Sequence, residues 1–216
     1  MKPAGLYLHF PFCRRACFYC HFFKKAHRPE RVEDYLAQLR QEMRLRRDPG
    51  LAVNTVYFGG GSPSLLNAGQ VSRLLETAAK HFAVDSRSEV TLEANPEDLF
   101  PARLRELRRA GINRLSIGAQ SFQDRDLRFL KRNHDAARSI RALEAARETG
   151  FANTGMDLMI GLPTQSTKSM EANFRTIAAL RPAHVSAYIL EGVPRPAGDR
   201  RDSLLYFQAR GALSDL

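Results

Sequence analysis

Three cysteines, Cys13, Cys17 and Cys20, are the only ones in the chain, and they fall within eight consecutive residues. An odd count packed this tightly is no disulfide framework. Their spacing is C-x3-C-x2-C, directly after the β-rich run Leu6–Phe10. Thiolates are the ligands of iron–sulfur clusters, and a four-iron cluster has four corners to be held. Three thiolates leave one iron without a protein ligand, so a small chelating molecule can take that corner. Zinc would need a fourth ligand. His21 follows Cys20 too closely for that role, and His9 would have to reach back from the strand. Three structural cysteines, or one cysteine nucleophile, leave the triplet unexplained. The iron–sulfur reading accounts for both count and spacing.

Such a loop needs a scaffold, and the rest of the chain reads as one. Apolar, β-rich runs lie at Leu6–Phe10, Thr55–Phe58, Glu89–Glu93, Arg114–Ile117, Gly155–Ile160 and His184–Leu190. Between them, Val32, Leu36, Leu39 and Met43 form one apolar helical stripe, and Val71, Leu74, Leu75, Ala78 and Phe82 form another. Asn67 with Gln70 three residues later predicts a capping box at the start of the second helix. Further helices are predicted over Ala102–Ala110, Ala136–Thr149, Lys168–Leu180 and Leu204–Leu213, the last with Asp202 or Ser203 as its N-cap. Gly111 and Gly150 follow two of these helices as left-handed caps would. Gly118 and Gly161 end strands, where a missing side chain lets backbone approach a ligand.

Strands alternating with helices predict an α/β fold with a parallel sheet. Eight strand–helix units at this spacing would need about 288 residues, and the chain has 216. Six units fit, as a partial (β/α)6 TIM-like barrel with its active site at the C-terminal strand ends. The expected organisation is a core over residues 1–191, then a connecting loop and sixth helix over residues 192–216.

Composition narrows the class of function. At 44% hydrophobic and 26% charged, the composition is that of a globular chain, which excludes the disordered and collagen-like classes. No apolar run approaches the ~18 residues a membrane span needs, which predicts a cytoplasmic protein without a transmembrane segment. The net charge is +10, from 33 Lys and Arg against 23 Asp and Glu. Most of the excess is arginine, as at Arg103, Arg105, Arg108 and Arg109. These arginines lack the interleaved aromatics of a base-stacking platform, so no nucleic-acid partner is expected. The charge does suit anionic ligands, such as a porphyrin carrying propionates.

Several segments then occur in a fixed order: Tyr7-x-His9-x-Pro11-Phe12-Cys13, Phe58-Gly59-Gly60-Gly61-Ser62-Pro63-Ser64, Glu93-Ala94-Asn95-Pro96, Arg114 through Phe122, and Asp157 through Pro163. With the cysteine motif, they resemble the radical S-adenosylmethionine (SAM) superfamily. The likeness extends to its branch of oxygen-independent coproporphyrinogen III dehydrogenase (oxidase) and the heme chaperone HemW. It spans roughly residues 5 to 191. By this resemblance, Cys13, Cys17 and Cys20 would ligate a [4Fe-4S] cluster, with SAM chelating the fourth iron. Gly60, Gly61 and Ser62, after the second strand, would present backbone to the methionine moiety. Glu93 would meet the ribose or amino group, and Gln120 would supply amide contacts. Arg132 would face a carboxylate, and Asp157 would accept hydrogen bonds from the ribose. Tyr7 would contact cluster-bound SAM and Tyr19 would lie beside the adenine, although core packing accounts for both tyrosines equally well.

Within the branch, the oxidase pattern carries a fourth cysteine two positions after the third, and this chain has Phe22 there. That choice, with Ser62-Pro63-Ser64-Leu65 and Gln120-Ser121-Phe122, is more similar to the chaperone. The resemblance therefore implies a protein that binds heme as cargo and hands it to an acceptor, with an electron donor for the cluster. The alternative it implies is radical oxidative decarboxylation of porphyrinogen propionates. The chaperone's His-Asn-x-x-Tyr-Trp heme segment is expected to be missing, because the chain has no Trp and His81, His134 and His184 lie in other contexts. Those histidines are expected to be structural.

Overall fold

The computed structural model describes residues 4–190; the helix expected over Leu204–Leu213 and its connecting loop lie outside the described residues. In chain order, β1 (Ala4–Phe10) leads into the cysteine loop, which is flanked by the two-residue β2 (Phe12–Cys13) and β3 (Lys25–Ala26). Next come α1 (Pro29–Leu45), β4 (Asp48–Gly60), α2 (Ala68–His81), β5 (Phe82–Ala94), α3 (Pro101–Arg109) and β6 (Arg114–Gln120). The chain continues through α4 (Asp124–Phe129), α5 (Ala136–Glu148), β7 (Asn153–Ile160), α6 (Thr167–Leu180) and β8 (His184–Ile189). Six strands form one sheet in the order β1-β4-β5-β6-β7-β8, every neighbouring pair parallel. This is the partial barrel expected, left open between β1 and β8.

Alternation along each strand decides which face is which. Leu8 and Phe10, Val56 and Phe58, Val90 and Leu92, Leu115 and Ile117, and Met156 and Leu158 point outward into one apolar core. Leu36, Leu74, Leu104, Leu107, Leu143 and Ile177 cover it from the helices. The inner face is polar instead, and its side chains bond across strands. Tyr57 Oη donates to Glu93 (2.9 Å), Ser116 Oγ to Asp157 (3.1 Å) and an Arg114 guanidinium N–H to Thr91 (3.2 Å). Parallel strands are usually apolar on both faces, so a polar inner face marks where ligands are handled.

The local signals act as their chemistry requires. Asn67 accepts from Gln70 N and Gln70 Oε1 accepts from Asn67 N, both at 2.8 Å, so the capping box is present. Gly111 and Gly150 take the left-handed conformation after α3 and α5, at φ +108° and +90°. Strands β1, β6 and β7 run two or three residues longer than expected, and β4 and β5 much longer, starting at Asp48 and Phe82. These extra turn-like residues pair in a shifted register, Asp48 with Phe82 and then Ala52 with Ala83. The short α4 is a further element that periodicity does not reveal.

Candidate functional site

At the C-terminal strand ends lies a cavity of about 500 Å³. Its floor is built from residues in the C-terminal halves of strands. Glu93 is the penultimate residue of β5, and its carboxylate accepts from Tyr57 Oη and from Gly60 N (3.0 Å). Burial pushes this carboxyl above its ordinary pKa, against those two hydrogen bonds, which favour its charged form. Asp157 on β7 is likewise raised by burial, with hydrogen bonds from Ser116 and Ser186 opposing. Gln120 ends β6 at φ +64°, a left-handed conformation unusual for a residue with a side chain.

The wall is the cysteine loop. Lys25 N donates to Pro11 O (2.7 Å) and His27 N to Cys13 O (2.9 Å), which closes the loop at its base. All three cysteines are free thiols, partly exposed and facing the cavity. Burial raises the pKa of Cys13, partly offset by a hydrogen bond with Ser62. Arg14 pairs with the buried Asp98, which also accepts from Ser64 Oγ (2.6 Å). Lys24 Nζ donates to Cys20 O.

Arg132 joins wall to floor. Its guanidinium donates to Asn95 Oδ1 (2.7 Å) and Gly118 O (3.1 Å), and it reaches Tyr19 Oη (3.4 Å) and Cys17 Sγ (3.9 Å). Burial works against its charge, yet Tyr19, Cys17 and Glu97 outweigh that and raise its pKa. Its Nε is buried without a hydrogen-bond partner.

The cavity thus gathers Cys13, Cys17, Cys20, Tyr19, Gly60, Gly61, Ser62, Glu93, Gln120, Arg132 and Asp157. Tyr7 is outside this set. It stacks on Tyr57 (ring centroids 5.8 Å apart), whose hydroxyl donates to Glu93 on the floor. Gly61 has a structural use as well as its place in the cavity lining. A Cβ on Gly61 would lie 2.7 Å from Phe12 O, 2.8 Å from Pro11 C and 2.9 Å from Phe10 O. Gly61 N and Ser62 N already donate to Phe10 O and Phe12 O. The absent side chain thus makes room for the base of the cysteine loop.

Residues given no role by the sequence complete the site. Asn95 bridges Arg132 and Ser62, its Nδ2 donating to Ser62 Oγ (3.1 Å). Tyr57 holds Glu93, and Asp98 anchors Arg14. Asn95 lies inside the Glu93-Ala94-Asn95-Pro96 segment, which was the available clue; Tyr57 and Asp98 carry none. His134 is structural as expected, bonded to Glu97 (3.0 Å) and Ala119 O (3.2 Å).

Three free thiols lining one cavity fit the thiolate ligation of an iron–sulfur cluster. Among the described residues, no three His, Cys, Asp or Glu side chains converge closely enough to hold one metal ion. Cluster irons take one thiolate each and need no such convergence. The buried, unpartnered Arg132 Nε and the polar floor fit a zwitterionic ligand beside the thiols.

A parallel partial barrel with three thiols at its C-terminal end, facing a polar floor, defines a class. The chain belongs to that class, the radical SAM superfamily, whose family model matches residues 7–177. It is 38% identical over 198 residues to the heme chaperone HemW of Bacillus subtilis, covering 90% of this chain and 52% of that protein. It is 34% identical over 197 residues to the oxygen-independent coproporphyrinogen III oxidase of Escherichia coli, covering 89% of this chain and 43% of that protein. The solved structure of coproporphyrinogen III oxidase from Escherichia coli, described as a radical SAM enzyme, matches with a TM-score of 0.86 at 28% identity. It covers 99% of this chain and 53% of that one. The chain spans about half the length of the curated relatives it matches.

Proposed function

We propose that this chain is the cluster- and SAM-binding part of a heme chaperone that passes heme to an acceptor protein. The observation that carries this reading over the oxidase is Phe22. It stands where the oxidase pattern has its fourth cysteine, and its exposed ring lines the cavity. An apolar ring there offers a contact face to a macrocycle rather than another metal ligand.

In this reading Cys13, Cys17 and Cys20 hold a [4Fe-4S] cluster. Bound together, cluster and SAM supply one-electron chemistry. Glu93 and Asp157 accept hydrogen bonds from the ribose and amino groups. Gln120 supplies amide contacts, and Gly60, Gly61 and Ser62 border the methionine moiety. Arg132 brings positive charge to a carboxylate, and Tyr19 flanks the adenine. Tyr7 acts through Tyr57, outside direct contact. An electron donor and a heme acceptor are the partners this role requires.

The test is heme titration and product analysis on the anaerobically reconstituted protein. Tight heme binding without turnover of coproporphyrinogen III is the expected result. Formation of protoporphyrinogen would establish the oxidase reading, which the 34% identity to the Escherichia coli oxidase keeps in view. Absence of heme binding would overturn the chaperone reading for this chain.

A further inference from the structure

The turn that carries Gln120 is strained, and a buried polar clamp holds it from behind. Ser121 N donates to Ala119 O (2.8 Å), closing a three-residue turn around Gln120. With φ at +64° on a residue that is not glycine, this is the rare, strained form of such a turn. Strain of this kind persists only where the surroundings over-determine it.

The surroundings here are unusually specific. Asn173, on α6, accepts from Phe122 N through its side-chain carbonyl (2.9 Å) and donates to Ser121 Oγ (3.2 Å). Ser121 Oγ donates to the Asp126 carboxylate (2.7 Å), which also accepts from Thr164 Oγ1 (2.6 Å) and Gln165 Nε2 (3.3 Å). Ser121, Asp126, Gln165 and Asn173 are all buried. The network therefore ties the turn after β6 to the loop after β7 and to α6. A buried polar network of this kind, once satisfied, fixes a single geometry. On the cavity side, the Gln120 amide folds back over Gly118, where a Cβ would lie 2.9 Å from Gln120 Nε2.

The geometry points to Asn173, with Ser121 and Asp126, as positioning residues that hold Gln120 in its left-handed conformation and aim its amide at the SAM site. This rests on the reading of Gln120 as a SAM contact. Asn173 itself never touches the ligand. Its effect passes through the Phe122 and Ser121 bonds to the backbone of Gln120.

A double-mutant cycle on the cluster-free chain tests the clamp without any ligand. Glycine takes the left-handed conformation freely, so Gln120→Gly relieves the strain wherever the clamp enforces it. The expected result is a urea midpoint change from Gln120→Gly that is more favourable in the wild-type background than in Asn173→Ala, where the turn can relax. Equal changes in both backgrounds would overturn the clamp. Thr164→Val, which removes one donor to Asp126 near the surface, provides the same cycle should Asn173→Ala fail to fold. The second readout is SAM titration of the reconstituted protein, followed by the spectrum of the reduced cluster. Asn173→Ala is expected to weaken SAM about tenfold at unchanged iron content, as loss of an outer support does. Unchanged affinity would contradict the positioning role. A wild-type protein that ignores SAM would defeat both the SAM reading and the aiming of Gln120, while the urea cycle still decides whether the turn is clamped.

Discussion

The cysteine loop and the strand ends meet in one cavity, but different forces hold them. Glu93, Gln120 and Asp157 stand on strands whose opposite faces, including Leu92, Ile117 and Leu158, are sealed by helices. Their positions follow from the barrel itself. The loop from Phe12 to Ala26 leaves Phe18, Phe22 and Phe23 more than half exposed, at 53%, 62% and 65%. It is tied down by backbone bonds at its base and by side-chain contacts such as Arg14–Asp98 and Arg132–Tyr19. The floor is thus built in advance by core packing, whereas the loop relies on local ties and on whatever the thiols bind.

That contrast can be broken first at the scaffold. Leu92 is fully buried behind Glu93, and Leu92→Ala is expected to cost about 2–5 kcal/mol of unfolding free energy. Chemical denaturation would check it; a loss below that range would mean the strand ends do not depend on the core behind them. A smaller effect is expected at the loop's anchor. Asp98→Asn removes the ion pair to Arg14 and weakens the acceptor of Ser64, at a cost of about 1–3 kcal/mol. Its signature is regional: faster proteolysis within residues 12–26, with amide exchange in β5 and β6 unchanged. Uniformly faster exchange would place Asp98 in the scaffold instead.

The smallest effect is in pH dependence. Glu93 and Asp157 both have raised pKa values when folded, so the folded chain keeps their protons longer than the unfolded chain does. Stability of the cluster-free chain should therefore fall as pH rises from the ordinary carboxylate range through those raised values. Glu93→Gln should flatten that fall, measured as urea midpoints across the acidic range. An unchanged dependence would show that folding does not raise Glu93, and a steeper one that folding lowers it.

The same division explains what could be read before folding. Strands such as Arg114–Ile117 and helices such as that carrying Leu74 and Ala78 are legible because alternation and helical spacing are local patterns. The site residues at strand ends are legible through short ordered motifs. Tyr57 and Asp98 are not, because each matters only through a partner 36 or 84 positions away, Glu93 for Tyr57 and Arg14 for Asp98. Asn173 is harder still, lying 51 positions from the amide it caps. Gly61 was legible as a requirement for glycine, but its reason, the backbone of Phe10 to Phe12, needed the loop folded against it. Tyr7 shows the reverse: its motif is local, while its place beside Tyr57 rather than among the cavity-lining residues appears only in the folded chain.

Iron, sulfide and zinc analysis of the anaerobically reconstituted chain, beside its Cys17→Ala variant, tests the central claim most directly. About four irons per chain are expected in the wild type, with a spectrum that changes on adding SAM. Cys17→Ala should lose the cluster while retaining a cooperative unfolding transition, because the barrel does not depend on the loop. One zinc per chain with no iron, or an intact four-iron cluster in Cys17→Ala, would contradict it.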